Sequence, residues 1–455
     1  MACSRRTRPT CSPRCVPTRC ADSRSSTLTT CCRRTGHRRN PYPRRPHPPE
    51  RPDVLATDIT DLTRLDIYSE EFKEDPYPFY ARLRAEAPLI RLTHPDVWVM
   101  TRHKDVSEAL RNPGLYSSAQ GVAFRPGGGD GSLVAMDDPD HRRLRGVLSR
   151  QFTPRNVRAL RDRVDGIVAD LVSPMADGSA AAFDFVPAFA DPLPTRVIAQ
   201  YLGISPEDWR DYRRWSVALT AWPWARGDDP ILTAEIGTAV TEAVTCFSAA
   251  VADRRVRPTS DLIGRMVSAA DAEEALTEEE IVNFCSLLMI AGNTTTASVL
   301  AHAMHLLLAH PEQRRALRDR PEGIPQAVEE IIRFEPPIQC FARTLTADHR
   351  LHGQDMRAGD RVLLAFGAAN RDETVFPDPD RFDTTRTPAG HIAFGSGPHF
   401  CLGAWLARTE LESALTSLLP LMDDWAPDPH RPLVRRPELP SFRDITSLPL
   451  VRANA

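Results

Sequence analysis

Apolar positions along this chain recur mostly at three- and four-residue spacing, the signature of helices with one buried face. Order is expected from about Asp53. A proline-marked helix opens at Asp75-Pro76-Tyr77, and Leu89 to Met100 reads as a hairpin turning at His94-Pro95-Asp96. Lys104 to Arg111 predicts a short helix stopped by Asn112-Pro113-Gly114. Residues 117–135 are polar and glycine-rich, and they predict a flexible flap. The helical pattern then holds to about residue 270, with starts at Pro139, Pro154 (running to Met175) and Pro206. Thr277-Glu278-Glu279-Glu280 is a capping box, and the apolar periodicity behind it continues to His310-Pro311. About thirty residues at 1.5 Å each span ~45 Å, enough to cross a domain. A short helix follows over Pro325–Phe334, then strands and turns with Arg361–Phe366 the clearest strand, and a last helix ending near Leu419. The pattern predicts a mainly α domain with a small β-rich lobe.

Composition changes this picture at one end. The whole chain carries a net charge of −3, but residues 1–52 hold thirteen Arg against Asp22 and Glu50. They also hold nine prolines and six of the ten cysteines, with little apolar periodicity. We expect a disordered basic extension over 1–52, or translation from a start upstream of the true one, followed by one domain over 53–455. A nucleic-acid arm is the lesser reading of the arginines. No apolar run approaches the ~18 residues of a membrane span, and Cys246, Cys285, Cys340 and Cys401 are scattered as in a reducing compartment. A cytoplasmic, unanchored protein is expected, with no nucleic-acid or membrane partner.

The candidate chemistry centres on Phe394-Gly395-Ser396-Gly397-Pro398-His399-Phe400-Cys401-Leu402-Gly403, a glycine-rich loop handing over to a helix. Unpaired N–H groups and the helix dipole at such a junction favour negative charge, which would lower the thiol pKa of Cys401 and suit it to bind a metal, although a lone cysteine is more often a buried, inert core thiol. Gly403 would let a flat partner approach the backbone.

This string resembles the haem-binding signature of the cytochrome P-450 superfamily, Phe-Gly-x-Gly-x-His-x-Cys-x-Gly, at every position. The resemblance extends over about residues 55–452. It implies the cytochrome P-450 fold, a large helical domain and a small β-rich lobe around a buried haem b, with Cys401 as proximal ligand. His141 and Arg145 (in His141-Arg142-Arg143-Leu144-Arg145), Arg343 and His399 are implied as partners of the haem carboxylates. Glu330 and Arg333, with Arg381 of the segment 376–382, are implied as a buried structural network. In Ala291-Gly292-Asn293-Thr294-Thr295-Thr296 the glycine is expected to loosen the long helix beside the oxygen site. Thr295 is implied as the alcohol that bonds the bound oxygen and orders the proton-delivering water.

Most relatives carry an acid immediately before that threonine, where this chain has Thr294. A hydroxyl can pass a proton along but cannot store one as a carboxylate does. The implied activity is a soluble, bacterial-type monooxygenase of secondary metabolism. It would insert one atom of O2 into a moderately hydrophobic small organic substrate. The resemblance further implies a monomer taking electrons from a ferredoxin and its reductase, with Arg142 and Arg408 as docking cations. The missing acid keeps open other haem-thiolate outcomes (peroxide-driven oxidation, phenol coupling, desaturation); a non-catalytic partner protein is the remaining alternative. Substrate contact is expected from 117–135, the Trp-rich 209–226, Leu288, Ile290, Ala291, residues 338–341 and Phe442.

Overall fold

The computed structural model describes residues 61–124, 126–127, 131–177, 181–204, 209–221, 230–269, 276–387, 390–436 and 441–453. The 1–52 extension, Trp222, Trp224 and the helix start at Pro206 fall outside them.

One helix organises the rest. It runs from Glu278 to Ala309, and Thr277 and Glu280 cap it reciprocally, the Thr277 oxygen accepting from Glu280 N at 3.1 Å. It is long and apolar enough to cross a membrane, yet 67% of its most apolar stretch is buried against other helices. Packed on it are Pro192–Leu202, Trp209–Ala221, Pro230–Val256 and the last helix, Ala404–Leu418. Together they enclose the main core, where Phe185 and Phe189 stack at 5.2 Å. Trp215 belongs to this core, donating its Nε1 hydrogen to Glu242 at 2.9 Å.

The expected 154–175 helix is divided into Pro154–Arg158 and Arg161–Ala176, each with its own N-terminal turn. The hairpin forms as expected: Leu89–Thr93 pairs antiparallel with Asp96–Met100. It joins a five-stranded sheet through parallel pairing of Asp96–Met100 with Arg361–Ala365, followed by Cys340–Leu345 and Tyr116–Ser117. Side-chain alternation sends Leu92, Val99 and Leu363 to one apolar cluster and Trp98, Met100 and Leu364 to another. Both faces are covered, which is why Arg361–Ala365 is buried throughout. A second sheet, Ala182–Asp184, Pro449–Arg452 and Trp425–Pro427, closes the chain's end against the helices.

The start of the flap is not loose. Asp137 accepts from Ser117 Oγ at 2.5 Å and Ser118 N at 2.9 Å, and Val122 O accepts from Ala342 N at 2.9 Å. Residues 125 and 128–130 lie outside the described residues.

Candidate active site: a cysteine loop ringed by cations

The Cys401 loop is built by two glycines in the left-handed region, Gly395 at φ 71° and Gly397 at φ 67°. Gly397 also has no room for a side chain, since a Cβ would sit 2.6 Å from Leu110 O. Cys401 N donates to Phe394 O at 2.8 Å, closing the loop just before the helix Ala404–Leu418. Cys401 itself is half-buried. Burial pushes its thiol up, against the opposing pull of the Gly403 N–H, Arg145 and Arg408. The helix terminus and the two arginines favour the expected thiolate, and desolvation of the site opposes it. A Cβ on Gly403 would meet nothing within 4 Å, so the backbone there is open to a flat partner.

Around the loop the chain assembles four basic groups from three distant segments. His141 and Arg145 come from the helix Asp140–Ser149, Arg343 from the strand Cys340–Leu345, and His399 from the loop. The His141 and His399 rings lie 4.1 Å apart. His399 also meets Ser118 Oγ at 3.3 Å. Arg145 donates to Phe400 O, and Arg343, 4% exposed, donates to its neighbour Ala342 O. Among the described residues none of Arg145, Arg343 and His399 has a carboxylate within ion-pair distance, and the nearest to His141 is Asp138 at 3.6 Å. Burial, His141, Arg343 and Arg145 hold His399 down at about 3. Burial, with the nearby Arg361 charge, lowers Arg343 to about 10. The Nε2 atom of His141 is buried with no hydrogen-bond partner. Buried basic groups in this state call for an anion. An iron porphyrin, with one soft ligand position and two carboxylates, fits this donor set.

The structural network forms around Glu330 and Arg333, both fully buried on the helix Ile324–Phe334. Arg333 grips Glu330 with two hydrogen bonds, 2.7 and 2.9 Å, and donates to Asn370 O and Pro379 O. Its third member differs from the one expected. Arg381 is 65% exposed and pairs with Asp383, whereas Arg386 donates to Glu330 Oε1 at 3.2 Å. Arg386 also binds the carbonyls of Pro377, Asp378 and Arg381, so one guanidinium ties the whole turn. Phe382 and the backbone N–H of Asp383 take the inward positions, which leaves the Arg381 side chain in solvent.

A second trio, unforeseen from sequence, lies beside it. Glu329 accepts from Arg408 at 2.5 and 2.8 Å and meets His391 Nε2 at 3.0 Å. Burial opposes ionisation of Glu329, but Arg408 and His391 outweigh it and hold the carboxyl at about 2. Arg408 also covers the Phe394 ring at 4.5 Å, so it braces the cysteine loop and is not a free docking cation. Arg142 is 81% exposed and, among the described residues, pairs with Asp138. The doublet Glu329-Glu330 was the available signal, since two acids on one helix each need a partner. Glu410, on the last helix, is a buried acid whose Oε2 has no partner among the described residues, and burial raises its pKa well above the usual carboxylate range.

The long helix runs without interruption through Ala291–Thr296. Gly292 does not loosen it. A Cβ there would lie 2.7 Å from Ile198 Cδ1, so the glycine serves close packing with Pro192–Leu202. Leu287, Ala291 and Thr295 form an accessible stripe at four-residue spacing, while Leu288 is buried in the core, a correction to its expected substrate contact. Thr295 Oγ1 donates to Ala291 O at 2.7 Å, so towards anything else it acts as an acceptor. Thr294 points elsewhere, with its Oγ1 3.4 Å from Thr220 Oγ1. Phe442 pairs by a backbone bridge with Ile338, and both are half-buried.

The sequence profile of cytochrome P450 matches residues 240–320 and 324–429. Nocardicin C N-oxygenase of Nocardia uniformis subsp. tsuyamanensis is 39% identical over 378 residues, 79% of this chain and 92% of that one. The chain belongs to the cytochrome P450 family. Mycinamicin IV hydroxylase/epoxidase of Micromonospora griseorubida is 38% identical over 351 residues, 75% of this P450 and 86% of that enzyme. The crystal structure of CalO2 superposes with a TM-score of 0.79 at 33% identity, covering 86% of this P450 and 99% of that chain. The protein is accordingly a P450 monooxygenase, of a family that works through haem iron.

Proposed function

We propose that this P450 binds haem b through the Cys401 sulfur, with His141, Arg145, Arg343 and His399 receiving the two haem carboxylates. It would insert one atom of O2 into a moderately hydrophobic small organic molecule, as a cytoplasmic monomer fed by a ferredoxin and its reductase. One observation carries the haem reading: four basic groups surround the cysteine loop, three without an acid partner among the described residues, and His141 Nε2 is buried unpartnered. Relatives named for acting on nocardicin C and mycinamicin IV support an organic substrate and a role in secondary metabolism.

The bound haem would supply oxygen activation by electron donation from the thiolate. The chain's part is to hold and to exclude. Glu330, Arg333 and Arg386 brace the turn before the cysteine loop, and Arg408 covers Phe394 within it. Thr295, its proton committed to Ala291 O, offers lone pairs to a water or substrate hydroxyl on the accessible stripe. Arg142 is the exposed cation for an acidic electron donor.

Thr294 in the acid's place favours a second reading, peroxide-driven oxidation or another haem-thiolate outcome. Product formation with O2, ferredoxin, reductase and reduced nicotinamide, set against peroxide alone, separates the two. Faster turnover with O2 supports monooxygenation, and product with peroxide only supports the second. Neither product nor a CO-shifted Soret band in reduced protein would contradict both.

A further inference from the structure

Thr294 stands where a proton-relaying acid is expected, and its surroundings indicate different work. Its Oγ1 lies 3.4 Å from the Oγ1 of Thr220, one residue from the end of the helix Trp209–Ala221. Thr220 has one hydroxyl proton, and it goes to Ser216 O at 2.8 Å within its own helix. Thr220 can therefore only accept in the contact between the two threonines, and Thr294 must donate. The chain Thr294 to Thr220 to Ser216 O ends on a backbone carbonyl, which has no proton to give back. It is a closed end, not a route to solvent.

One turn earlier the same helix makes a second bond to the long helix, Ser216 Oγ donating to Met289 O at 3.0 Å. Ser216, Thr220 and Thr294 are all buried, at 0%, 3% and 9% exposure. The two contacts straddle Ile290 to Asn293, the turn that carries the accessible Ala291. At 3.4 Å the contact between the threonines is long, but in a buried site each hydroxyl would otherwise lose a partner.

We propose that Thr220 is a positioning residue: with Thr294 it pins the helix Trp209–Ala221 onto the long helix at the Ala291 turn, and it carries no protons. This rests on the P450 reading of Thr295 and deepens it, since the residue before that alcohol then holds the neighbouring helix in register and proton supply is left to the Thr295 side.

The test uses ferric, haem-loaded protein with Thr220→Val, Thr294→Val and the double variant; Val keeps the shape and removes the hydroxyl. Amide hydrogen exchange is followed over 212–221 and 286–296, together with the spectral dissociation constant for 4-phenylimidazole, an aromatic ligand of ferric haem. Each single variant is expected to speed exchange over 212–221 by about fivefold. The double variant should be no faster than Thr220→Val alone, because that variant already removes the contact between the threonines along with its own bond to Ser216 O. 4-Phenylimidazole should bind about two- to fivefold more weakly to each, and Thr220→Ser should restore both values. The solvent isotope effect on O2-dependent turnover should be the same in Thr220→Val as in wild type. Unchanged exchange, additive single effects, or a raised isotope effect in Thr220→Val would each overturn the pin. A failure to bind haem would instead strike the P450 reading, while exchange measured in the haem-free chain would still report on the pin.

Discussion

The ring of His141 lies 4.1 Å from the ring of His399, tilted by 33°, although the two residues are separated by most of the domain. Burial and neighbouring charge hold both imidazoles below their usual range. Two basic rings in contact beside Arg145 and Arg343 repel one another once protonated, and a dianion placed between them would turn that repulsion into attraction. His141→Phe keeps the ring packing and removes the orphaned Nε2. Losing one hydrogen bond to a charged group costs about 1.5–3 kcal/mol, so haem retention should weaken roughly ten- to a hundredfold. The ratio of haem absorbance to protein after dilution and dialysis checks this, and full retention would count against the carboxylate role.

Arg386 and Arg381 separate cleanly by mutation. Arg386→Ala leaves the buried Glu330 with one partner fewer and frees three carbonyls, so we expect a loss of about 3–5 kcal/mol. Arg381→Ala removes a solvent-exposed pair and should fall within about 0.5 kcal/mol of wild type. Denaturant midpoints of the two variants provide the comparison, and equal losses would restore Arg381 to the network.

These two arginines also mark what was legible in the sequence. The cysteine loop, the capped long helix, the hairpin and Glu330-x-x-Arg333 were readable because each is local, fixed by spacing within a dozen residues. The third cation was not, because two arginines five residues apart both suit the role, and only the path of the turn turns one inward. Gly292 was misread for a related reason. A glycine in a helix signals either a loosened ladder or a close neighbour, and Ile198 lies almost a hundred residues away in the chain. The Arg408 brace depends on Glu329 and His391, again brought together only by folding.

Gly292→Ala tests the packing account. Alanine favours a helix by about 1 kcal/mol, but its methyl would lie 2.7 Å from Ile198 Cδ1. Overpacking costs about 1–3 kcal/mol, so the variant should be net destabilised by about 1 kcal/mol. Adding Ile198→Val, which removes Cδ1 but keeps Cγ1 at 2.9 Å, should recover part of that loss. Thermal melts of the single and double variants measure it. A stabilised single variant would show that the helix has slack there.

Glu329 sets an acid limit. Its carboxyl sits at about 2 in the folded chain against an ordinary 4.5. A depressed folded value means that its contribution, about 3 kcal/mol, is fully present above pH ~4.5 and is lost as pH falls towards ~2. Urea unfolding at pH 7 and pH 3 should show wild type losing more stability on acidification than Glu329→Gln, with the variant already weaker at pH 7. Parallel losses in both proteins would remove Glu329 from the account.

The most direct measurement is the absorption spectrum of reduced, CO-treated protein, wild type beside Cys401→Ser, expressed with haem precursors supplied. The wild-type chain should give the strongly red-shifted Soret band of thiolate-ligated haem, and Cys401→Ser should lose that shift whether or not it retains haem. The same shifted band in both proteins, or no haem in wild type, would contradict Cys401 as the iron ligand.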